Sequence, residues 1–383
     1  MKMSKKVILI DQLGKKDYEY DYSAIKHYSD DYTVTCYMAD DTPRNAQPLN
    51  INVEYGFKNV YAGGKIHNGI MYLKALWELF LFIKRNKYDI VHFQWYEIPI
   101  VDKLMIKAIK ALCKPVPKIV MTVHGVATKA DYKYLSRGLQ KLYQEADAIL
   151  IHTKASLELF EENYDVKCPK YIITSAFRDA EDYKPIDKSE ARRILELPEN
   201  KTIILSFGTV RDDKSIDLLL SIYPEIKKEN QNLYLIVVGT LNVSNKDRYL
   251  ELSQKCIDAG DARIKYEYID KDLEGVYYSA ADILVLPYSF ISQSGVAYCG
   301  LLYHLPMIVS DIPRLEDMAQ KGVNADLFKK GNEEDLGKAI LLLASDRERL
   351  NRYAFGSQEI LEHNFSIQRR VDITEQAYRE LFQ

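Results

Sequence analysis

Short apolar runs rich in β-branched residues recur along the first half of the chain, at 7–10, 33–37, 89–93, 118–123, 148–152 and 171–174. A second series follows at 202–207, 233–238, 264–268, 283–287 and 307–310. Runs without polar alternation are strands buried on both faces. The segments between them carry helical spacing, as at 71–87 and 101–118. Strand and helix in alternation predict βαβ units and parallel sheets.

The pattern restarts near the middle. A polar, proline-bearing segment, Tyr183-Lys184-Pro185-Ile186-Asp187, precedes a short helix at 188–197 and a fresh strand at Thr202. We expect a first domain at 1–184, a second at 185–360, and a final helical segment at 361–383 that could cross back to the first. Each half has strands enough for its own doubly wound sheet, and such sheets hold ligands at their carboxyl ends. The expected fold is α/β, two doubly wound domains facing a central cleft.

Composition agrees with that reading and excludes others. The chain has 383 residues, 47% hydrophobic and 28% charged, with 17 Gly and 12 Pro. Those values rule out collagen-like and disordered classes. Cys36, Cys113, Cys168, Cys256 and Cys299 are odd in number and not at metal-ligand spacing. Free thiols in a reducing cytoplasm are expected. The opening MKMSKKVILIDQ is too short in its apolar part for a signal segment and is broken by Asp11. No uncharged apolar stretch reaches the ~20 residues that span a bilayer.

Net charge is -3, so no nucleic-acid partner is expected from bulk charge. Charge is uneven, however. Residues 65–141 hold 14 Lys and Arg against 5 Asp and Glu. Two amphipathic segments lie in this window. One places Trp77, Leu79, Phe80, Phe82 and Ile83 before Lys84-Arg85; the other places Leu104, Met105, Ile109 and Leu112 among lysines. A basic apolar face suits the anionic inner leaflet of a membrane, which would make the protein peripheral at the cytoplasmic side. The plain alternative is a helix on a sheet with a solvated basic face.

Three stretches hold candidate chemistry. In 292–311, Ser292 or Ser294 can cap a helix beginning near Gly295, and the free N–H groups there form a phosphate site. In 206–219, Arg211 and Lys214 sit three apart at a strand end and can neutralise a leaving diphosphate. In the first half, His124 ends the strand 118–123 beside Gly125, where such sheets bind ligands. His92 lies inside its strand and reads as a core histidine; His152 has no companion polar cluster and is left structural; His304 reads as a helix C-terminal residue. Each stretch has a plain counterpart: a capped helix, a basic pair balanced by Asp212 and Asp213, a packed strand end.

Taken in order and spacing, 89–95, 122–125, 207–219, Val237-Val238-Gly239, 279–288 and 292–311 resemble the GT-B nucleotide-sugar glycosyltransferases. The likeness is to the retaining, surface-polysaccharide type (glycosyl transferases group 1, family 4-like). The resemblance covers nearly the whole chain and overrides the plain readings. It implies a GT-B fold of two Rossmann-like domains and a donor that is a UDP- or GDP-sugar. It implies a lipid-linked saccharide acceptor, in capsular, exopolysaccharide or lipopolysaccharide synthesis. By the same likeness Arg211 and Lys214 bind the diphosphate from one side. Ser294 and the backbone at Gly295 and Val296 bind it from the other, with Gly208 and Gln293 also on the donor. Tyr268 and Ile269 lie near the base. His124 reaches the donor sugar, and Gln94, Trp95 and Tyr20 form the acceptor side. The retaining mechanism usually proposed gives the acceptor's proton to the leaving diphosphate, so positioning and electrostatics carry the rate.

The chain departs from that pattern at four places. Two glutamates eight apart, usual in the family, are replaced by Ile291 and Cys299. The usual glycine after the lysine is Ser215, and the first glycine-rich loop is Asp11-Gln12-Leu13-Gly14. Tyr18, Tyr20 and Tyr22 follow it and either stack on sugars or pack on the sheet. Adjacent aspartates at 30–31, 40–41 and 212–213 are not a spaced metal pair, so neither metal nor cofactor is expected. A non-catalytic partner subunit and a sugar-nucleotide epimerase remain as alternatives; the second would need a carboxylate placed to remove a sugar proton.

Overall fold

A computed structural model of the chain describes residues 4–14, 18–44, 47, 51–126, 133–174, 176, 178, 183, 185–291, 294–313 and 315–383. The chain divides into two compact units. Unit 1 is Met1–Asp179 with Ser366–Gln383, and unit 2 is Ala180–Phe365.

Unit 1 is built on seven strands: β1 Lys5–Asp11, β2 Tyr32–Ala39, β3 Asn52–Phe57, β4 Ile90–Phe93, β5 Lys118–Val123, β6 Ala148–Ile151 and β7 Lys170–Ile172. Their order is β3-β2-β1-β4-β5-β6-β7, all parallel. The order reverses between β1 and β4, and a crevice opens beyond the carboxyl ends of strands at such a point. The central strands are apolar because helices cover both faces: Val7, Ile8, Ile90, Val91, Ile119 and Val120 are wholly buried.

Helix Ile367–Glu380 belongs to this unit despite its place in the chain. Its Tyr378 hydroxyl lies 2.6 Å from His92 Nδ1, and Glu375 accepts from Ser29 N at 2.6 Å and Ser29 Oγ at 3.0 Å.

Unit 2 repeats the plan with β8 Thr202–Phe207, β9 Val210–Arg211, β10 Leu233–Val238, β11 Leu241–Asn242, β12 Ala262–Lys265, β13 Ile283–Leu286, β14 Met307–Ser310 and β15 Ala325–Phe328. The main sheet runs β12-β10-β8-β13-β14-β15, parallel throughout, and reverses between β8 and β13. The pair β9 and β11 forms a two-residue ladder beside it.

Several elements differ from the sequence reading, each for a physical reason. Strand β12 stops at Lys265 rather than 268, because its sole ladder partner β10 ends opposite it at Val238. The helix expected over 101–118 is Pro99–Leu112, and Pro115 and Pro117 follow within the expected span. Two edge strands, β3 and β15, escaped notice. Strand β3 buries only its last two residues, and β15 carries Asp326, whose carboxylate is held by Arg349 and by Tyr353 Oη.

Candidate functional site

In unit 2 the polar groups gather at the carboxyl ends of β8, β10 and β13. Gly208 follows β8 with φ +90°, and Gly239 follows β10 with φ +139°. A Cβ on Gly239 would stand 2.1 Å from Gly208 O, so these two turns pass backbone against backbone. A Cβ on Gly208 would meet Val296 Cγ2 at 3.3 Å and Lys214 Nζ at 3.4 Å. Glycine therefore keeps open the space between the lysine ammonium and the first turn of helix Gly295–Leu302.

Lys214 reaches that space from a short 3-10 turn, Asp212–Lys214, closed by Ser215 in the left-handed region at φ +47°. The family's usual glycine would sit there without the steric cost that Ser215 bears. Lys214 is 8% exposed and its Nζ lies 5.6 Å above the Tyr288 ring. Among the described residues it forms neither a hydrogen bond nor an ion pair. Burial first, and the nearby Arg211 charge second, bring its pKa down to about 8.

Arg211 differs. The sequence reading puts both cations over one ligand, but Arg211 is exposed and clamped by Asp213, Nε to Oδ1 at 2.9 Å and Nη2 to Oδ2 at 2.7 Å. The bidentate carboxylate neutralises it in this state and raises its pKa.

Ser294 is buried and is the N-cap of helix Gly295–Leu302, accepting from Ala297 N at 3.0 Å. Gly295 and Val296 are the first two residues of that helix, where backbone N–H groups have no intrahelical acceptor and the dipole is positive. Gln293, and Ser292 beside it, lie outside the described residues. Tyr268 and Ile269 follow β12 in coil; Tyr268 is 70% exposed.

The two positions of the missing glutamates, Ile291 and Cys299, are buried. Cys299 Sγ lies 3.7 Å from Glu274 Oε1, on helix Lys271–Ala280. That carboxylate was not singled out from sequence, since it lies in a separate element with no motif of its own. A cavity of about 520 Å³ opens at the opposite, amino end of the sheet, and its Arg192, Lys188 and Asp282 are paired with each other at 2.7 and 2.8 Å.

In unit 1 the corresponding strand ends bring together Gln94 and Trp95 after β4, His124 after β5 and His152 after β6. Trp95 stacks on the His124 ring at 4.2 Å and 10°. Gln12, buried after β1, fixes the Trp95 backbone by donating Nε2 to its carbonyl at 2.7 Å. Gln94 Oε1 lies 3.3 Å from His124 Nε2. If the amide oxygen accepts there, Nε2 carries the proton and Nδ1 presents a lone pair; this assignment of the tautomer follows from the bond.

Two expectations need correction here. Tyr20 is 4% exposed, with its ring edge-on to His124 at 4.9 Å and Arg370 stacked over it at 3.8 Å. It packs rather than presenting a face to a sugar, because the space over the ring is already filled. His152 does have a polar neighbourhood: it is 5.1 Å from His124 ring to ring and 3.5 Å from Tyr20 Oη. Arg370, missed from sequence, organises the group by donating to Ala176 O at 2.6 Å and Tyr20 O at 2.5 Å.

Burial, and then neighbouring positive charge, hold His124 well below the usual imidazole range. His92 and His152 are brought down to about 3, chiefly by burial and then by Arg370. His92 is a satisfied core residue, with Nε2 2.8 Å from Thr122 Oγ1.

These folded-state pKa values lie below the unfolded value near 6.5, so the unfolded chain takes up protons first as pH falls. The stability is complete above pH 6.5 and drains away toward pH 3. We expect a loss of about 2 kcal/mol for each of His92 and His152 between pH 6.5 and 5. Calorimetry across that range checks it; a melting midpoint that stays level would show that these imidazoles are not buried neutral.

Among the described residues no group of three or more His, Cys, Asp or Glu is placed to hold a metal ion, and no helix is long and apolar enough to cross a membrane.

Comparison with known proteins follows the same division. The family model described as Glycosyl transferases group 1 matches 187–358, and that described as Glycosyltransferase Family 4 matches 26–174. The chain is 29% identical over 157 residues to a lipopolysaccharide 1,2-N-acetylglucosaminetransferase of Salmonella typhimurium, covering 40% of each chain. It is 24% identical to a D-inositol 3-phosphate glycosyltransferase of Geodermatophilus obscurus, over 56% of this chain and 49% of that one. The chain thus spans about half the length, or less, of these two relatives. Among solved structures, Anabaena HepE in complex with UDP superposes with a TM-score of 0.74 at 18% identity, over 98% of this chain and 99% of that one. That likeness is one of fold.

Proposed function

From a chain that carries a Glycosyltransferase Family 4 domain and a glycosyl transferases group 1 domain, we propose a retaining glycosyltransferase. It moves a sugar from a UDP- or GDP-sugar to a saccharide acceptor carried on a lipid, in the synthesis of a surface polysaccharide. The observation that carries this reading is Lys214: a buried ammonium that, among the described residues, makes no hydrogen bond or ion pair, facing a glycine gap and the start of a capped helix. A buried cation whose nearest carboxylate, Asp213, is already clamped on Arg211 is costly. A diphosphate supplies the missing charge, and the N–H groups of Gly295 and Val296 supply donors for its oxygens. The relatives' names, one a lipopolysaccharide glycosyltransferase, support the polysaccharide assignment.

In the proposed reaction the bond from sugar C1 to the β-phosphate oxygen breaks and a bond from C1 to the acceptor oxygen forms on the same face. The acceptor's hydroxyl proton passes to the departing phosphate oxygen. Lys214 takes the charge that grows on that oxygen. Arg211 joins it once the ligand competes with Asp213. Charge is thereby neutralised by this chain's own groups rather than by a divalent ion. His124, neutral, accepts a hydroxyl hydrogen of the sugar at Nδ1. Glu274 supplies a carboxylate beside Cys299 in place of the absent glutamate.

A non-catalytic role is favoured only by Ile291 and Cys299. A thermal-shift panel with UDP, GDP, ADP and CMP tests the reading. One nucleoside diphosphate at a hundred times its Kd should stabilise the protein by about 2.7 kcal/mol. A melting temperature unmoved by every nucleotide would overturn donor binding and leave the non-catalytic role.

A further inference from the structure

We infer that unit 1 carries a membrane-docking face, formed by the outer sides of helices Lys65–Asn86 and Pro99–Leu112, whose partner is an anionic lipid bilayer. The inference goes beyond sugar transfer and is tested without it.

Helix Lys65–Asn86 has two apolar sides. One holds Tyr72, Ala75, Leu76, Leu79, Phe80 and Ile83, all buried. The sequence reading assigned Leu79, Phe80 and Ile83 to the membrane face; they belong to the core. The second side is Ile66, Ile70, Leu73, Trp77 and Leu81, which are 82%, 62%, 52%, 62% and 46% exposed. With 3.6 residues per turn these five fall within an arc of about 80°, along about 22 Å of helix. A helix that only covers a sheet has one apolar stripe. Single exposed apolar residues are ordinary, but five in register are not.

The adjacent helix Pro99–Leu112 repeats the arrangement. Met105, Ile106 and Ile109 face inward, while Ile100, Leu104 and Leu112 are 66%, 62% and 55% exposed.

Charge selects the occupant. Lys74, Lys84 and Arg85 accompany the first stripe, and Lys103, Lys107 and Lys110 lie on the second helix. The acidic residues of the two helices are Glu78, paired with Lys74 at 3.9 Å, and Asp102. Asp102 is buried, accepts from Tyr72 Oη at 2.5 Å and Ile98 N at 2.9 Å, and is raised by burial to about 7. Glu145, from outside the two helices, lies 3.7 Å from Lys107 and 4.0 Å from Lys110. The positive charge of the face therefore rests on Lys84, Arg85 and Lys103, and the face is apolar and moderately basic. Two copies placed face to face would set cation against cation. An anionic bilayer complements both properties, taking the apolar stripe into the interface while the long lysine and arginine side chains reach the headgroups.

The test is sedimentation of the full chain with vesicles of phosphatidylcholine alone or with one third phosphatidylglycerol, at low and high salt. Partitioning should be at least about tenfold stronger to the anionic vesicles and should fall at high salt. The pair Leu73→Ser with Trp77→Ser should lose about tenfold in partitioning while keeping the wild-type melting temperature. Quenching of tryptophan emission by brominated lipid should vanish in Trp77→Phe. Absence of binding to anionic vesicles, or equal binding by wild type and the double variant, would overturn the inference. So would a lipid-free dimer that dissociates in the double variant without vesicle binding in the wild type, which would give the face to a second copy.

Discussion

Lys214→Ala is expected to lower kcat/KM by about 10²–10³, the range seen when a positioned electrostatic donor is removed from a transition state. The folded protein should not suffer. Its pKa of about 8 lies below the unfolded value near 10.5, so the folded state disfavours the charged lysine. That penalty is present in full below pH 8 and is relieved as pH rises from about 8 toward 10.5. Removing the ammonium should therefore leave the melting temperature unchanged or raise it at neutral pH.

The same shift ties ligand binding to protons. Above pH 8 the free protein holds a neutral Lys214, and a diphosphate must restore the proton before it can bind. Nucleotide affinity should fall as pH rises through 8, with uptake of up to about one proton per ligand. Calorimetric titration in buffers of different ionisation enthalpy measures that number. Arg211→Ala should cost less, about tenfold, because its charge must first be released from Asp213. Near-wild-type turnover in both variants would refute the diphosphate assignment.

His124→Ala should split binding from transfer. Turnover falls by about 10²–10³, while the Kd for the nucleoside diphosphate stays within about twofold, since the loss is confined to the sugar in the transition state. Because the imidazole is already neutral well below pH 6.5, the wild-type rate should show no acid limb from this residue between pH 7.5 and 5.5. Equal losses in turnover and nucleotide affinity would remove His124 from the reacting set. An inflection near pH 6.5 would contradict the burial of its charge.

Much of this was legible in the sequence because burial writes itself in apolar runs. Strands β1, β4, β5, β8, β10, β13 and β14 are covered on both faces, and each was readable from composition alone. Strand β3 sits at a sheet edge with its first four residues exposed or partly so, and β15 is interrupted by Asp326, so neither shows an unbroken apolar run. Lys214 and Ser294 stand at a strand end and a helix start, but local signatures left their plain readings in place. The order and spacing of the stretches, through the family resemblance, singled them out together with Gly208.

What could not be read is who neutralises whom. That Asp213 takes Arg211 while Lys214 is left alone depends on side-chain directions within one turn. That Arg370 lies over Tyr20 depends on a contact across 350 residues of sequence. Glu274 stands beside Cys299 through the packing of two helices, and no spacing rule links them.

That long-range contact sets an order of events during synthesis. Residues 366–383 leave the ribosome only after all of unit 2, 180–365, has been made. At ~5–20 residues per second the first sheet waits roughly ten to forty seconds for its missing cover. Throughout that wait Tyr378 has not filled the space beside His92, and Arg370 has not closed over Tyr20. The half that begins first is thus completed last, and the nascent chain must stay soluble with an open seam.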